Sequence, residues 1–194
     1  IRAVEVSDRK GAKSLVLFDE QPQNAKPDKI PHLKPAFRKN GTVTPANSSS
    51  ISDGAAALIL ASKSYSENEG LPTRARILGH SSYAHAPGLF TTAPVYAVEK
   101  LLKSIGWSIE MVDLWEVNEA FAVVPMAFMR ELDVSRKKMN IHGGACAMGH
   151  PIGASGARIM VTLLNALERY DLKRGIAAVC IGGGEGTAIA IERA

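Results

Sequence analysis

From residue 73 onward the chain alternates short apolar stretches with amphipathic ones, and that rhythm leaves few ways to fold. "RARILGHSSYA" alternates apolar and polar residues as a half-buried strand does. "APVYAVEKLLKSIG" puts Val95, Val98, Leu102 and Ile105 at helical spacing and stops on Gly106. "MVDLWEV" has the character of a strand. "NEAFAVVPMAFMRELD" returns to helical spacing through Phe121, Val124, Phe128 and Leu132. Asn118 is placed to cap that helix and Pro125 to kink it. "MNIHGG" is a strand end, and "IGASGARIMVTLLNALERY" is a helix through Ile159, Leu163 and Leu167. "IAAVCIG" and "TAIAIE" close the chain as two buried strands joined by "GGEG". The order β-α-β-α-β-α-β-β predicts an α/β fold, its mixed and mostly parallel sheet covered by helices on both faces.

The first 72 residues lack this rhythm. Residues 19–45 hold five prolines and little periodicity, which predicts a long excursion with a short helical turn near 30–34. A loop of that length is functional or a linker. "DGAAALILAS" suits a buried strand, and "KSYSENEG" a short helix ending at Gly70. The residues divide into a loop region at 1–45, a strand and helix at 46–72, and a complete domain at 73–194. Segments 46–61 and 62–70 find no neighbouring strand or helix in the chain to bury them. Exposed apolar edges promote association, so a poor autonomous fold and a partner chain are expected. The opening Ile1 reads as that of a trimmed or partial chain.

Composition removes several classes. The longest apolar run, "AAALILA" at 55–61, falls far short of the roughly 20 residues of a membrane helix, and no apolar segment follows the basic residues near the start as a signal peptide requires. Cys146 and Cys180 fit neither a disulfide framework nor a metal site, and read as reduced thiols in a cytoplasmic setting. His80, His85, His142 and His150 lack zinc-ligand spacing. The net charge is +4, and its whole excess lies in residues 1–45, with nine Lys/Arg against five Asp/Glu. No basic stripe interleaved with aromatics accompanies it, which argues against nucleic acid. A surface meeting a phosphorylated small molecule fits as well as a solvated face.

In an open α/β sheet, loops beyond the carboxyl ends of strands gather into a site. Three such loops are "VNEAFA" at 117–122, "GGACAMGHPIG" at 143–153 and "CIGGGEG" at 180–186. They carry Asn118, His150 and Cys180. Each alone has a bland reading: a helix cap, a loop histidine, a core cysteine. Their recurrence on successive strand ends is what points to chemistry. "CIGGGEG" is no dinucleotide loop, because its glycines lead into a strand. "GASGA" is no nucleophile elbow, because it ends on Ala157 and Ser155 follows a His-Pro loop.

Taken together, "NEAF", "GGACAMGHPIGASGAR" and "CIGGGEG", with "NGTVT" and "NSSSISDGAA" upstream, resemble the C-terminal half of the thiolase family, in its order and spacing. The likeness runs from about residue 13 to 194 and leans toward the acetyl-CoA acetyltransferase branch. It implies a thiolase-like layered fold and Claisen condensation of two acetyl-CoA to acetoacetyl-CoA and CoA, or the reverse thiolysis. Coenzyme A thioesters would be substrates, with no further cofactor and no metal. The resemblance assigns deprotonation of a cysteine nucleophile to His150, and proton exchange at the second substrate's α-carbon to Cys180. It gives one oxyanion hole to His150 with a water held by Asn118, and another to the Gly182 backbone N–H. Ser49 falls where the family binds pantetheine, and Phe90 and Phe121 fall beside the acyl group.

The chain departs from the family in three places. No residue matches the nucleophilic cysteine, since Cys146 stands where an aliphatic residue is usual. The family's adenine-packing arginine falls near Gln23. Phe90 stands near a usual Met. The isolated chain is therefore expected to be inactive, and the missing N-terminal half and a homodimer or homotetramer are its expected partners. A degradative 3-ketoacyl-CoA thiolase and a non-catalytic CoA- or lipid-binding module are the alternatives.

Overall fold

The computed structural model describes all of residues 1–194. Its organising element is a four-stranded sheet of β3 (Ala75–Ala84), β6 (Glu185–Arg193), β5 (Arg174–Ile181) and β4 (Leu114–Val117), in that spatial order. The two-stranded hairpin of β1 (Val4–Ser7) and β2 (Lys13–Val16) stands apart and is exposed. Five-residue α1 (Glu20–Asn24) and six-residue α2 (Lys63–Asn68) complete the first third. A 3-10 turn at Pro27–His32 overlaps the helical turn read near 30–34.

Period-two alternation sorts the core into two layers. On β4, Trp115 and Val117 join one cluster with Ile176, Ala178 and Cys180 of β5. Helices α3 (Ala93–Ile105) and α4 (Val123–Glu131) close this face, through Val98 and Leu101 of α3 and Val124 and Phe128 of α4. Leu114 and Ala177 belong to the opposite cluster, closed by Ile159, Leu163 and Leu167 of α6 (Ser155–Arg169). Glu116 shares the parity of Leu114, so its carboxylate is carried to the α6 side. α3 ends on Gly106 in the left-handed conformation at φ 70°, as its sequence implied.

Helices cover both faces as expected, and the sheet is mixed, but its balance is reversed. Only β4 and β5 run parallel; β5–β6 and β3–β6 are antiparallel. The cause is the connection at Gly182–Gly184, since a three-residue turn returns the chain only antiparallel. "MNIHGG" is not a strand. Met139 makes a single bridge to Trp115, and Asn140 then turns at φ 43°. The Asn140 amide takes over the ladder: its Oδ1 accepts from Val117 N and its Nδ2 donates to Val117 O, both at 2.8 Å. An imitated peptide caps the edge where a fifth strand was read.

Two helix readings also change. α4 begins at Val123, so Asn118 does not cap it. Pro125 therefore sits in the first turn, where no intrahelical donor is lost and no kink is required. The apolar run at 55–61, read as a buried strand, pairs with nothing, and Ile59 is 97% exposed. No strand lies beside it to accept its backbone.

Candidate active site

Strand β4 ends at Val117, and the next residue keeps the ladder for one more bond: Asn118 N donates to Ala178 O at 2.9 Å. This pins Asn118 at the carboxyl edge of two adjacent parallel strands, fully buried. Its side chain meets the second loop there, with Nδ2 3.3 Å from His150 Nε2. The other ring nitrogen, Nδ1, lies 2.5 Å from Ser155 Oγ, which itself donates to Pro151 O at 3.0 Å. A hydroxyl has one proton, so Ser155 accepts from Nδ1–H. Nε2 is then left with its lone pair facing the Asn118 amide. Burial, and next the charge on Arg158, push the imidazole's pKa down and favour its neutral form.

Segment 47–52 holds both loops in place. Ser49 N and Oγ donate to Ala120 O at 3.1 and 3.0 Å, and Ala122 N donates to Asn47 O. His150 N donates to Ser50 O at 2.9 Å, and Ile51 bridges to His150. Gly149 makes this possible. It sits at φ 93°, and a Cβ there would fall 2.1 Å from Ser52 Oγ. Gly144 does the same for Glu119, whose carboxylate carbon would be 2.2 Å from an added Cβ. That carboxylate accepts from Asn140 Nδ2 at 2.9 Å and from Cys146 N at 3.1 Å, joining the first loop to α5 (Ala145–Met148). These two glycines thus accommodate the protein's own side chains. Around Gly182 the space is open.

Cys180 is the penultimate residue of β5, opposite Gly186, and is buried on the α3/α4 face. Burial pushes its thiol up to about 11, so it rests protonated. No hydrogen bond joins it to the Asn118–His150 pair. The third loop is a tight hairpin turn, steadied by His85 N donating to Gly184 O at 3.0 Å. Phe121 lies between two other rings, 6.3 Å from Phe90 and 5.9 Å from Phe37, both edge-to-face. Gln23 is exposed on α1. Cys146 is held away from nucleophilic duty: burial and the Glu119 carboxylate push its thiol up to about 12.

Three participants escaped the sequence reading. Glu116 reaches the α6 side by strand parity and is 2% exposed. Burial lifts its carboxyl to about 8, against the opposing pull of Arg158. Arg158 lies 3.8 Å from that carboxyl and 3.5 Å from Asn118 Oδ1. Ser155, noticed only as a rejected nucleophile, orients the histidine instead. The available signal was spacing: Ser155 and Arg158 stand at i and i+3 on the first turn of α6, on one face. No helix in the chain is long and apolar enough to cross a membrane.

Known proteins show the same arrangement of sequence and fold. The family described as thiolase, C-terminal domain, matches residues 71–193, and thiolase, N-terminal domain, matches residues 1–64. The chain is 50% identical over 190 residues to a probable acetyl-CoA acetyltransferase of Dictyostelium discoideum, covering 98% of this chain and 46% of that protein. It is 47% identical over 193 residues to the cytosolic acetyl-CoA acetyltransferase of Mus musculus, covering 98% and 48%. Among solved structures, the Bacillus anthracis acetyl-CoA acetyltransferase superposes with a TM-score of 0.95 at 41% identity, covering 100% of this chain and 49% of that one. Human mitochondrial 3-ketoacyl-CoA thiolase superposes at 0.88 and 38% identity, covering 99% and 49%. The chain spans about half the length of the curated relatives it matches.

Proposed function

The chain belongs to the thiolase family, and from that premise we propose that it is the C-terminal half of an acetyl-CoA C-acetyltransferase. The reaction is condensation of two acetyl-CoA to acetoacetyl-CoA and CoA, and its reverse. The observation that carries this reading is the placement of His150, with Nδ1 2.5 Å from Ser155 Oγ and Nε2 3.3 Å from Asn118 Nδ2, an arrangement that suits a bare Nε2.

The chemistry divides between the loops. His150 Nε2 takes the proton of a cysteine thiol lying outside residues 1–194. The resulting thiolate attacks the thioester carbon of one acetyl-CoA, the C–S bond breaks, and the Cys180 thiol gives its proton to the departing CoA. Cys180, now a thiolate, removes an α-proton from the second acetyl-CoA. The carbanion attacks the acyl-enzyme carbonyl, acetoacetyl-CoA departs, and the proton held by His150 returns to the nucleophile, restoring its thiol. Each addition builds negative charge on oxygen. The Asn118–His150 pair and the Gly182 N–H are the donors proposed to meet it, and in comparable sites one such donor is worth about 3 kcal/mol. A thiol that rests protonated, as burial makes Cys180, suits proton exchange at carbon better than attack. Ser49 lies against the pantetheine arm, and the Phe90–Phe121 pair against the acyl group.

Coenzyme A thioesters are the only small molecules this chemistry requires. The partners proposed are the N-terminal half and further copies of the enzyme. A cytosolic setting follows the mouse relative's description.

The test uses the full-length protein with acetoacetyl-CoA and CoA. Cys180→Ser should suppress condensation and thiolysis by ~10²–10⁴-fold while the acyl-enzyme still forms, because a hydroxyl is a far poorer base near neutral pH. His150→Ala should suppress acylation itself, and Asn118→Ala should act more mildly. Mass spectrometry of the trapped acyl-enzyme separates these steps. Condensation by Cys180→Ser at the wild-type rate would refute the assignment.

A further inference from the structure

The function proposed above needs Asn118 to present an N–H to His150, yet an amide can rotate by half a turn and present its oxygen instead. Local packing is nearly blind to that choice, because the two ends have similar size. Something must decide it. Arg158 is the group placed to do so. It lies in the first turn of α6, with its side chain 20% exposed, and Nη2 donates to Asn118 Oδ1 at 3.5 Å. A guanidinium has donors and no acceptor, so only the oxygen end of the amide can face it. Its other terminal nitrogen, Nη1, is buried without a hydrogen bond, 3.8 Å from Glu116 Oε2.

We infer that Arg158 is a positioning residue: seated over Glu116, it fixes the Asn118 amide with Nδ2 toward His150 Nε2. One direction of donation then runs through the whole chain of groups. Arg158 donates to Asn118 Oδ1, Asn118 Nδ2 to His150 Nε2, His150 Nδ1 to Ser155 Oγ, and Ser155 Oγ to Pro151 O. Reversing the Asn118 amide would set its oxygen against Nε2. That favours a proton on Nε2 and removes the lone pair the nucleophile's proton must reach. Strand parity supplies the anchor, since Glu116 and Asn118 stand at i and i+2 on the same side of β4 and its extension. Arg158 bridges the two from the helix above.

The inference rests on the proposed function, but its direct readout needs no turnover. Nitrogen NMR of histidine-labelled full-length protein reports the tautomer of His150, assigned by the resonance lost in His150→Gln. Wild type should show protonated Nδ1 and bare Nε2. Arg158→Met should shift the ring toward the Nε2–H tautomer and raise its pKa, because a neighbouring cation is gone and an acceptor has replaced a donor. In the same variant kcat should fall at least ~10-fold with KM little changed, a part of the roughly 10²–10⁴ a positioned base contributes. Arg158→Lys keeps one donor and should restore the tautomer and much of kcat. If Arg158→Met does not fold, the double variant Glu116→Gln/Arg158→Met, which removes the buried carboxyl nearest the gap while Glu119 and Asp19 remain at longer range, carries the same measurement. An unchanged tautomer in a folded variant overturns the positioning role, whatever happens to kcat. A shifted tautomer in a protein whose wild type performs no thiolysis upholds the positioning and overturns only the functional reading.

Discussion

Residues 73–194 and residues 1–72 differ in kind. Every buried residue of the chain lies between Ser81 and Ile191. The first 72 residues contribute none, and they display Phe18, Ile51, Ile59 and Leu60 at 65–97% exposure. Yet the poorly buried region holds the candidate site together. Its segment 47–52 bonds to Ala120, Ala122 and His150, adding three anchors to the Asn118–His150 and Glu119–Cys146 contacts by which the two loops meet. Burial and the bracing of the site's loops are thus assigned to different stretches of chain. One supplies the rigid sheet edge; the other stitches loops across it at little hydrophobic gain.

The comparison breaks most visibly in the core. Trp115 and Phe128 are 1% and 0% exposed and meet edge-to-face at 5.4 Å. Phe128→Ala in residues 1–194 should lower stability by about 3–5 kcal/mol, whereas Ile59→Ala should change it by less than about 0.5 kcal/mol. Urea titration followed by tryptophan fluorescence compares them, and equal losses would erase the distinction between the two regions.

The seam between the regions is sensitive at one atom. Gly149→Ala introduces a Cβ 2.1 Å from Ser52 Oγ at a φ of 93°. The expected loss is about 1–3 kcal/mol, together with loosening of 47–52 that limited proteolysis should detect as new cleavage there. Gly182→Ala, with open space around it, should leave stability nearly unchanged.

A pH profile sharpens the electrostatics of the packed half. Burial raises Glu116 to about 8 in the folded protein, from 4.5. Above the unfolded value the folded state therefore binds a proton that the unfolded state has released. Stability should fall as pH rises from about 4.5 through about 8, and Glu116→Gln should flatten that part of the profile. His150 works in the opposite sense. Its lowered pKa makes the unfolded state the better proton acceptor, so stability should fall as pH drops below the ordinary histidine value of about 6.5. Thermal melts across pH, with His150→Gln as the control, separate the two contributions.

Much of this molecule was legible residue by residue. The faces of α3, α4 and α6 followed from helical spacing, because each helix has one sheet to cover and its apolar positions must line up on it. Gly106 marked a helix end through its left-handed backbone. The three loops bearing Asn118, His150 and Cys180 were recognisable as strand-end segments. What the sequence could not announce depended on partners distant along the chain. The fifth strand dissolved because Asn140 happens to face Val117 and its amide substitutes for a peptide. The run at 55–61 looked like a strand, but a strand exists only where another backbone accepts its hydrogen bonds. The space beside Gly144 and Gly149 is filled by Glu119 and Ser52, partners distant along the chain. Glu116 stood in no motif and Arg158 only closed one, with no role attached, and they became neighbours only when strand parity and the first turn of α6 brought a buried carboxyl and a guanidinium to the same side of the sheet. Periodicity is a local property, so the sequence by itself determined the elements and their buried faces. Hydrogen-bond direction and charge pairing join residues 30 or 40 positions apart, so only the tertiary structure decided which nitrogen of His150 is left bare.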